Sequence, residues 1–244
     1  MQIITCPQKP KYTALSQNYG KFEILGCYPG YGTTLGNALR RVLLSSLDGA
    51  AVKSVKIKGV SHEFSTISGV MEDVVQIILN LKQVRFRLHG DDAIKVTVKS
   101  KGEGIVTAAD IKTPSNIEIV NPEQVIATLT DKKTEFEMEI EVDKGVGYVP
   151  VESSERVERA DREIGVIAID AIYTPVKRVN YEVENMRVGK RTDYDKVTLE
   201  VVTDGSISPA TAFQKSVAIL VSQFSSLNEI EGDIEVPNVD VPEV

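Results

Sequence analysis

Three glycines and two arginines in residues 29–46, PGYGTTLGNALRRVLLSS, are the first candidates for chemistry. Gly30, Gly32 and Gly36 separate an apolar run from a helical pattern. A glycine loop that opens a helix binds phosphate through backbone N–H groups and the positive end of the helix dipole. The spacing therefore raises the hypothesis of a nucleotide-binding enzyme that uses the loop between Gly30 and Gly36.

Neither phosphate motif is complete in this loop. The dinucleotide fingerprint G-x-G-x-x-G meets Leu35 where its third glycine belongs, and the P-loop lysine is replaced by Asn37. A tight turn at the glycines, with Thr33 or Thr34 capping the helix, is the favoured interpretation. Nucleotide binding is kept as the disfavoured alternative.

The remaining residues offer no other reactive arrangement. Cys6 and Cys27 lie outside any C-x-x-C pair, and His62 and His89 stand far from them and from each other. A structural zinc site needs about four suitably spaced ligands. We expect no catalytic residue, metal site or cofactor on this chain.

Alternating apolar and polar residues predict many strands, of which TEFEMEIEV (134–142) has the most regular alternation. The apolar run 164–173 predicts a central strand. Helical patterns cover 34–47, 68–82 with Ser68 as N-cap, and 209–227 with Ser208 as N-cap. Because strands and helices do not alternate regularly, the predicted class is α+β.

The first helix has two faces. Leu35 and Leu39 belong to an apolar stripe at helical spacing, which predicts a core-facing side. The opposite stripe carries polar and cationic side chains together with one leucine, namely Asn37, Arg40, Arg41 and Leu44. Arginine is enriched at protein interfaces, so this stripe is either an interface patch or a solvated polar face.

The last helix carries apolar residues at heptad spacing, namely Phe213, Val217, Leu220, Phe224 and Leu227. Lys215 is the one charge between Gly205 and Asn228. A helix lying on its own sheet would bury one face, but it would leave the other uncharged face uncovered. Burying five such side chains against a partner would contribute on the order of 10 kcal/mol before entropy costs, so the pattern favours a homodimer.

Charge and hydropathy limit the remaining possibilities. The net charge is −7, and residues 229–244 hold six acids and no base, which predicts a disordered acidic linker or tail. The charged segment 151–163 predicts an exposed loop. The nearly neutral body argues against DNA binding by bulk charge. Without a signal peptide or an apolar run long enough for a membrane span, we expect a cytoplasmic protein and no membrane contact.

Several motifs in order resemble one family. GYGTTLGNALRRVLLSS is similar to the hallmark segment of the N-terminal domain of the bacterial-type RNA polymerase alpha subunit. The resemblance continues through GVSHEFSTISGVMEDVVQIILNLK (59–82), GIVTAADI (104–111), GVGYVP (145–150) and the segment 169–212. It covers most of residues 20–228.

The resemblance implies a homodimer that serves as the assembly platform for the beta and beta-prime subunits of a DNA-directed RNA polymerase, a nucleotidyltransferase. It implies a discontinuous dimerisation subdomain, 1–48 and 175–228, with two main helices on an antiparallel sheet. A mostly β subdomain is inserted at 49–174. The dimer interface is expected on the helices 34–47 and 209–227, including Leu35, Leu39, Phe213, Val217, Leu220, Phe224 and Leu227.

Contact residues follow only by matching motifs of the family. The resemblance implies beta contacts at Arg41, Leu44, Ser45 and Lys82. It implies beta-prime contacts at Lys82, Val176, Arg178 and Lys196. Because the sequence ends in what matches the linker of the family, we expect no C-terminal DNA-binding domain in this chain and no direct DNA contact from it.

Overall fold

Antiparallel sheets and α-helices make up residues 4–152 and 165–227, the parts of the chain that this computed structural model describes. The predicted α+β class is confirmed. The acidic tail 229–244 and most of the predicted loop 151–163 lie outside the described residues.

Fifteen strands and three α-helices are numbered along these described ranges. The helices are α1 (Tyr31–Ser45), α2 (Val74–Leu81) and α3 (Pro209–Ser226). The strands are β1 (Lys11–Ser16), β2 (Tyr19–Cys27), β3 (Asp48–Ile57), β4 (Phe86–Leu88), β5 (Ile94–Lys101), β6 (Gly104–Thr107), β7 (Ile111–Lys112), β8 (Ile117–Ile119), β9 (Val125–Leu129), β10 (Glu135–Val146), β11 (Tyr148–Val149), β12 (Val166–Ala168), β13 (Ala171–Ile172), β14 (Val176–Val188) and β15 (Arg191–Thr203).

A four-stranded sheet in the order β1-β2-β15-β14 carries α1 and α3 on one face. Alternation on β2 and β15 places apolar side chains on this face, where Phe22 lies opposite Leu199 and Ile24 opposite Val197. The ring of Phe213 on α3 stacks on Phe22 with centroids 4.3 Å apart. This contact fixes the first turns of α3 on the sheet.

A seven-stranded sheet follows the order β7-β5-β10-β3-β4-β8, with β12 also paired to β3. The alternation predicted on β10 is confirmed, since Phe136, Met138, Ile140 and Val142 are all buried. The glutamates between them face the lysines of β5, as in the pair Lys101–Glu135 at 2.8 Å. The buried face packs on α2, so this sheet has its own core.

The prediction of one central strand at 164–173 was wrong. The segment forms two short strands in different sheets, β12 on β3 and β13 on β11. Between them, the N–H of Ile169 donates to the carbonyl of Lys53, and the carboxylate of Asp170 accepts from the N–H of Val151. These polar contacts change the direction of the chain between β12 and β13. The apolar composition of the segment did not predict this change.

The N-cap of α3 is the residue predicted from the sequence, whereas α2 begins later than predicted. Ser208 caps α3, with its hydroxyl accepting from the N–H of Thr211 at 3.1 Å. The start predicted for α2 at Ser68 was wrong, because Asp73 is the N-cap and accepts from the N–H of Gln76. Glu72 instead binds the N–H and hydroxyl of Thr128, which holds the approach to α2 against β9.

Polar contacts join the two larger sheets near the start of α3. The Lys215 ammonium lies 2.7 Å from one Asp48 oxygen, and Lys144 lies 3.5 Å from the other. Partial burial raises the pKa of Asp48, but the hydrogen bond and charge of Lys215, a backbone hydrogen bond and the charge of Lys144 together keep the pKa below its usual value. The Arg87 guanidinium donates to the carbonyls of Gly205 and Ser206. Together they fix the orientation of the seven-stranded sheet relative to α3.

Gly49 is the tightest backbone approach near this junction, because a Cβ there would overlap the carbonyl oxygen of Tyr173. We expect Gly49→Ala to lower the free energy of unfolding by about 1–3 kcal/mol, as overpacking does. Gly104→Ala is the matched control, since no heavy atom lies within 4 Å of the added Cβ. Denaturant unfolding should show a change of at most about 0.5 kcal/mol for the control. Equal values for both variants would contradict the steric argument.

Candidate functional site

The glycine loop binds an anion, but the anion belongs to the chain itself. Gly30 adopts a φ of 84°, and α1 begins directly after it. One oxygen of the Asp195 carboxylate, on β15, accepts hydrogen bonds from the N–H groups of Gly30 and Gly32, each at 2.9 Å. A helix N-terminus attracts negative charge, and here a buried side chain supplies it.

This arrangement corrects one expectation about the loop and agrees with another. Neither Thr33 nor Thr34 caps the helix, which begins at Tyr31 and has no side-chain cap of its own. The position that a phosphate would take is filled by Asp195, so the nucleotide-binding alternative is not favoured. Sequence reasoning missed Asp195, although an acid that interrupts the alternating pattern of TDYDKVTLEVV was a usable signal.

The other two helical glycines allow close packing of α1 on the sheet. A Cβ on Gly32 would lie 2.8 Å from a methyl of Val183, and one on Gly36 would lie 2.6 Å from the ring of Tyr181. Both distances are shorter than van der Waals contact allows. The glycines therefore place the first half of α1 directly on β14 and β15.

The exposed face of α1 carries Asn37, Arg41 and Ser45. Within residues 4–152 and 165–227, the Arg41 side chain has no hydrogen bond or ion pair, whereas the Arg40 side chain donates to the carbonyl of Val179. The Ser45 hydroxyl donates to the carbonyl of Arg41 at 2.8 Å. Leu44, expected on the displayed stripe, is half-buried against the core, and Leu35 is also half-buried there.

The apolar stripe of α3 divides into a buried and an exposed part. Phe213 is buried on the four-stranded sheet, as is Leu39 of α1, so both lie in the core of the chain itself. Further along α3, Leu220 is half-buried, while Val217, Phe224 and Leu227 are 37%, 63% and 71% exposed. The helix extends beyond the sheet, which leaves its apolar end without a covering surface among the described residues.

A groove, named here the α1–α3 groove, runs along α1 and is bordered by one residue of α3. Its lining combines polar, cationic and apolar side chains, namely Thr33, Thr34, Asn37, Ala38, Arg41, Val42, Tyr181 and Leu220. The unpaired Arg41 and the half-buried Leu220 therefore border the same depression. Such a mixture resembles a protein-binding surface more than an enclosed ligand pocket.

Lys82 is connected to the end of α1 through the segment that contains β13. Its ammonium lies 3.5 Å from a carboxylate oxygen of Asp170. Four residues later, the Thr174 hydroxyl donates to the carbonyl of Leu44 at 3.4 Å. Four residues of extended chain span about 13 Å. Residues 170–174 thus connect Lys82 to the end of α1 over a path of that order.

The remaining predicted contact residues are not gathered at one point. Val176 is buried and Arg178 is exposed, both at the start of β14. Lys196 lies on the outer face of the sheet, 3.0 Å from Glu184, and this hydrogen bond raises the pKa of Lys196. In register, Arg178 faces Val202, six residues along β15 from Lys196, which is about 20 Å.

The described ranges contain no cluster of three metal-ligating side chains. Cys6 is exposed and Cys27 is buried. Burial, and then the charge of Asp195, raise the pKa of the Cys27 thiol, which makes it a poor nucleophile. None of the helices within 4–152 and 165–227 is long and apolar enough to cross a membrane.

The family model of the RNA polymerase Rpb3/RpoA insert domain matches residues 55–174, which puts this α+β chain in the class of polymerase subunits that carry this domain. The matched part contains α2, Lys82 and most of the seven-stranded sheet. The domain boundaries given above from the family resemblance stay predictions.

Proteins named DNA-directed RNA polymerase subunit alpha are similar over most of the chain. The protein of Carboxydothermus hydrogenoformans is 49% identical over 234 residues, covering 94% of this chain and 74% of its own length. That of Moorella thermoacetica is 51% identical, covering 88% and 68%, and that of Aquifex aeolicus 45%, covering 92% and 70%. The chain belongs to the family of bacterial DNA-directed RNA polymerase alpha subunits, which are part of a nucleotidyltransferase complex.

The Lys82–Asp170 pair gives a titration test of this part of the site. The hydrogen bond from Val151, and then the charge of Lys82, lower the pKa of Asp170. We expect Lys82→Met to raise that pKa while leaving it below the usual value of about 3.9, because the Val151 bond remains. Carboxyl-carbon NMR titration measures the change. Lys58→Met, whose ammonium pairs with Glu137, should leave Asp170 unchanged, and an unmoved Asp170 in Lys82→Met would show that the pair does not form.

Proposed function

We propose that this chain forms a homodimer that is the platform on which the beta and beta-prime subunits of the polymerase assemble. The observation that carries the proposal is the uncovered apolar end of α3 beside the groove that contains Arg41. The proposal places the chain in the bacterial cytoplasm. It assigns the chain no catalytic residue, metal or cofactor of its own and no direct contact with DNA.

The apolar end of α3 supports the dimer. Val217, Val221, Phe224 and Leu227 are all exposed, and the single charge of the helix, Lys215, is already paired with Asp48. Full burial of each large apolar side chain contributes roughly 1.5–3 kcal/mol. A two-fold arrangement would pack the uncovered ends of the two α3 helices against each other and against the part of the α1–α3 groove near Thr34 and Ala38, so that both ends are buried at once while Arg41 stays exposed.

In the dimer proposal, Leu220, Val217, Phe224 and Leu227 contact the partner directly. Leu39 and Phe213 act from the core of each protomer, where they fix the two helices on the sheet, and Leu35 contributes its exposed edge. This division follows from their burial in the single chain. The matched family residues alone did not distinguish the two roles.

The large-subunit contacts are proposed on the polar and cationic side chains that stay exposed. Arg41, Ser45 and Lys82 form the beta surface, and Leu44 supports it from its half-buried position. Arg178 and Lys196, again with Lys82, form the beta-prime surface, where Val176 acts from the core. Both protomers carry both surfaces, so each large subunit would engage a different protomer.

The dimer is tested by Phe224→Asp, which places a charge in the apolar stripe. We expect sedimentation equilibrium to show a dissociation constant at least 100-fold above that of the unsubstituted chain, since burying an unpaired charge is costly. Ser222→Asp is the matched control, because Ser222 lies on the opposite side of the same exposed turns. Equal weakening by both variants would contradict the proposed interface.

The beta contact is tested by Arg41→Ala in a pull-down with beta. Since the Arg41 side chain has no hydrogen bond or ion pair among the described residues, we expect thermal unfolding and dimerisation to stay as in the unsubstituted chain. Capture of beta should fall about tenfold or more, the size of a moderate interface hot spot. Arg178→Ala serves as the reciprocal control, with reduced capture of beta-prime and unchanged capture of beta. Full beta capture by Arg41→Ala would remove Arg41 from the proposed surface.

A further inference from the structure

We propose that Asp195 is a positioning residue for the dimer surface, because its carboxylate holds the N-terminal half of α1 in place and thereby shapes the α1–α3 groove. The inference rests on the proposed homodimer. It starts from the two 2.9 Å hydrogen bonds that the N–H groups of Gly30 and Gly32 donate to one oxygen of this side chain.

The regular alternation of β15 points the carboxylate at the helix. Asp195 is in phase with the buried Val197, Leu199 and Val201, so its side chain lies on the face of the sheet that carries α1. Lys196 lies on the outer face with Glu184, while Asp195 is 7% exposed. The register with β2 shifts between Cys27, which faces Asp195, and Ile24, which faces Val197, so the extra residue of this bulge is on β2.

The hydrogen bonds to Asp195 compensate the burial of its carboxylate and supply an acceptor at the N-terminus of α1. A buried carboxylate is costly unless charges or hydrogen bonds compensate it, and no salt bridge to Asp195 occurs within residues 4–152 and 165–227. For α1, the first turn contains no acidic residue and the N-cap Gly30 offers no side chain. Asp195 is therefore the negative charge that the described structure provides at this helix end.

The position of α1 determines the shape of the groove. Gly32 and Gly36 hold the first two turns against Val183 and Tyr181, and Tyr181 itself lines the groove. Thr34 and Ala38 line the groove from successive turns of the same helix. A shift of the first turns, released by loss of the carboxylate, would therefore change the surface that receives the partner protomer.

Chemical rescue separates this role from a general loss of stability. Asp195→Ala leaves two unpaired N–H donors and the space of a carboxylate, which formate fits. By sedimentation equilibrium we expect a dimer dissociation constant about tenfold higher than that of the unsubstituted chain, since hydrogen bonds to a charged group are strong. Added formate should lower it saturably toward the original value, while chloride at equal ionic strength should not. The Gly30 and Gly32 amide resonances should shift with the same formate dependence.

Asp193→Ala is the matched control. Its carboxylate lies two residues away on β15, is exposed and pairs with Arg191, so we expect neither weaker dimerisation nor a formate effect. If Asp195→Ala does not fold, Asp195→Asn replaces it. The amide oxygen keeps one acceptor without the charge, and dimerisation should weaken by a smaller factor.

The outcomes are distinct. A dissociation constant within twofold of the original in Asp195→Ala, or in Asp195→Asn where that variant replaces it, overturns the inference, as does weakening of Asp195→Ala that formate leaves unchanged. An unsubstituted chain that stays monomeric at all concentrations overturns the proposed dimer, and the inference with it. If the unsubstituted chain dimerises and the Asp195 variant dimerises with the same dissociation constant, only the inference about Asp195 is overturned.

Discussion

The hydrogen bonds between the Asp195 carboxylate and the N–H groups of Gly30 and Gly32 are the interaction on which the arrangement of α1 depends. They join the sheet to the start of a helix that has no cap of its own. Once α1 is held there, Gly32 and Gly36 let it lie directly on β14 and β15. The buried and exposed faces of α1 are then determined by its geometry.

The same interaction explains why a loop similar to phosphate-binding loops occurs in a chain for which nucleotide binding is not favoured. Loops of this kind provide N–H donors at a helix N-terminus, and those donors need an acceptor. Here the acceptor is a carboxylate from β15. The chemistry of an anion site is retained, but it serves to hold the fold together. What remains at the surface is Arg41 on α1 and the apolar end of α3, which are features of a subunit that binds other proteins.

Periodicity in the sequence predicted the α+β class, the regular strand β10 and the bounds of α3, since each rests on local alternation or a local cap. Periodicity failed where residues far apart in the sequence determine the local structure. Asp195, 163 residues from Gly32, sets the start of α1, and Asp170 divides the predicted strand at 164–173. The apolar heptad of α3 was visible in the sequence, but only the sheet shows that Phe213 is core while Phe224 is exposed. Contact residues matched to the family remain predictions.

The central claim is that the exposed end of α3 is completed by a second copy of this chain. Hydrogen exchange of the α3 backbone amides, followed over a range of protein concentrations, tests it most directly. In a monomer the end without packing frays and exchanges readily. The account predicts that protection of the amides in residues 217–226 rises with concentration, while protection of β10 stays constant. Protection in 217–226 that is independent of concentration, in a chain that sediments as a monomer, would contradict it.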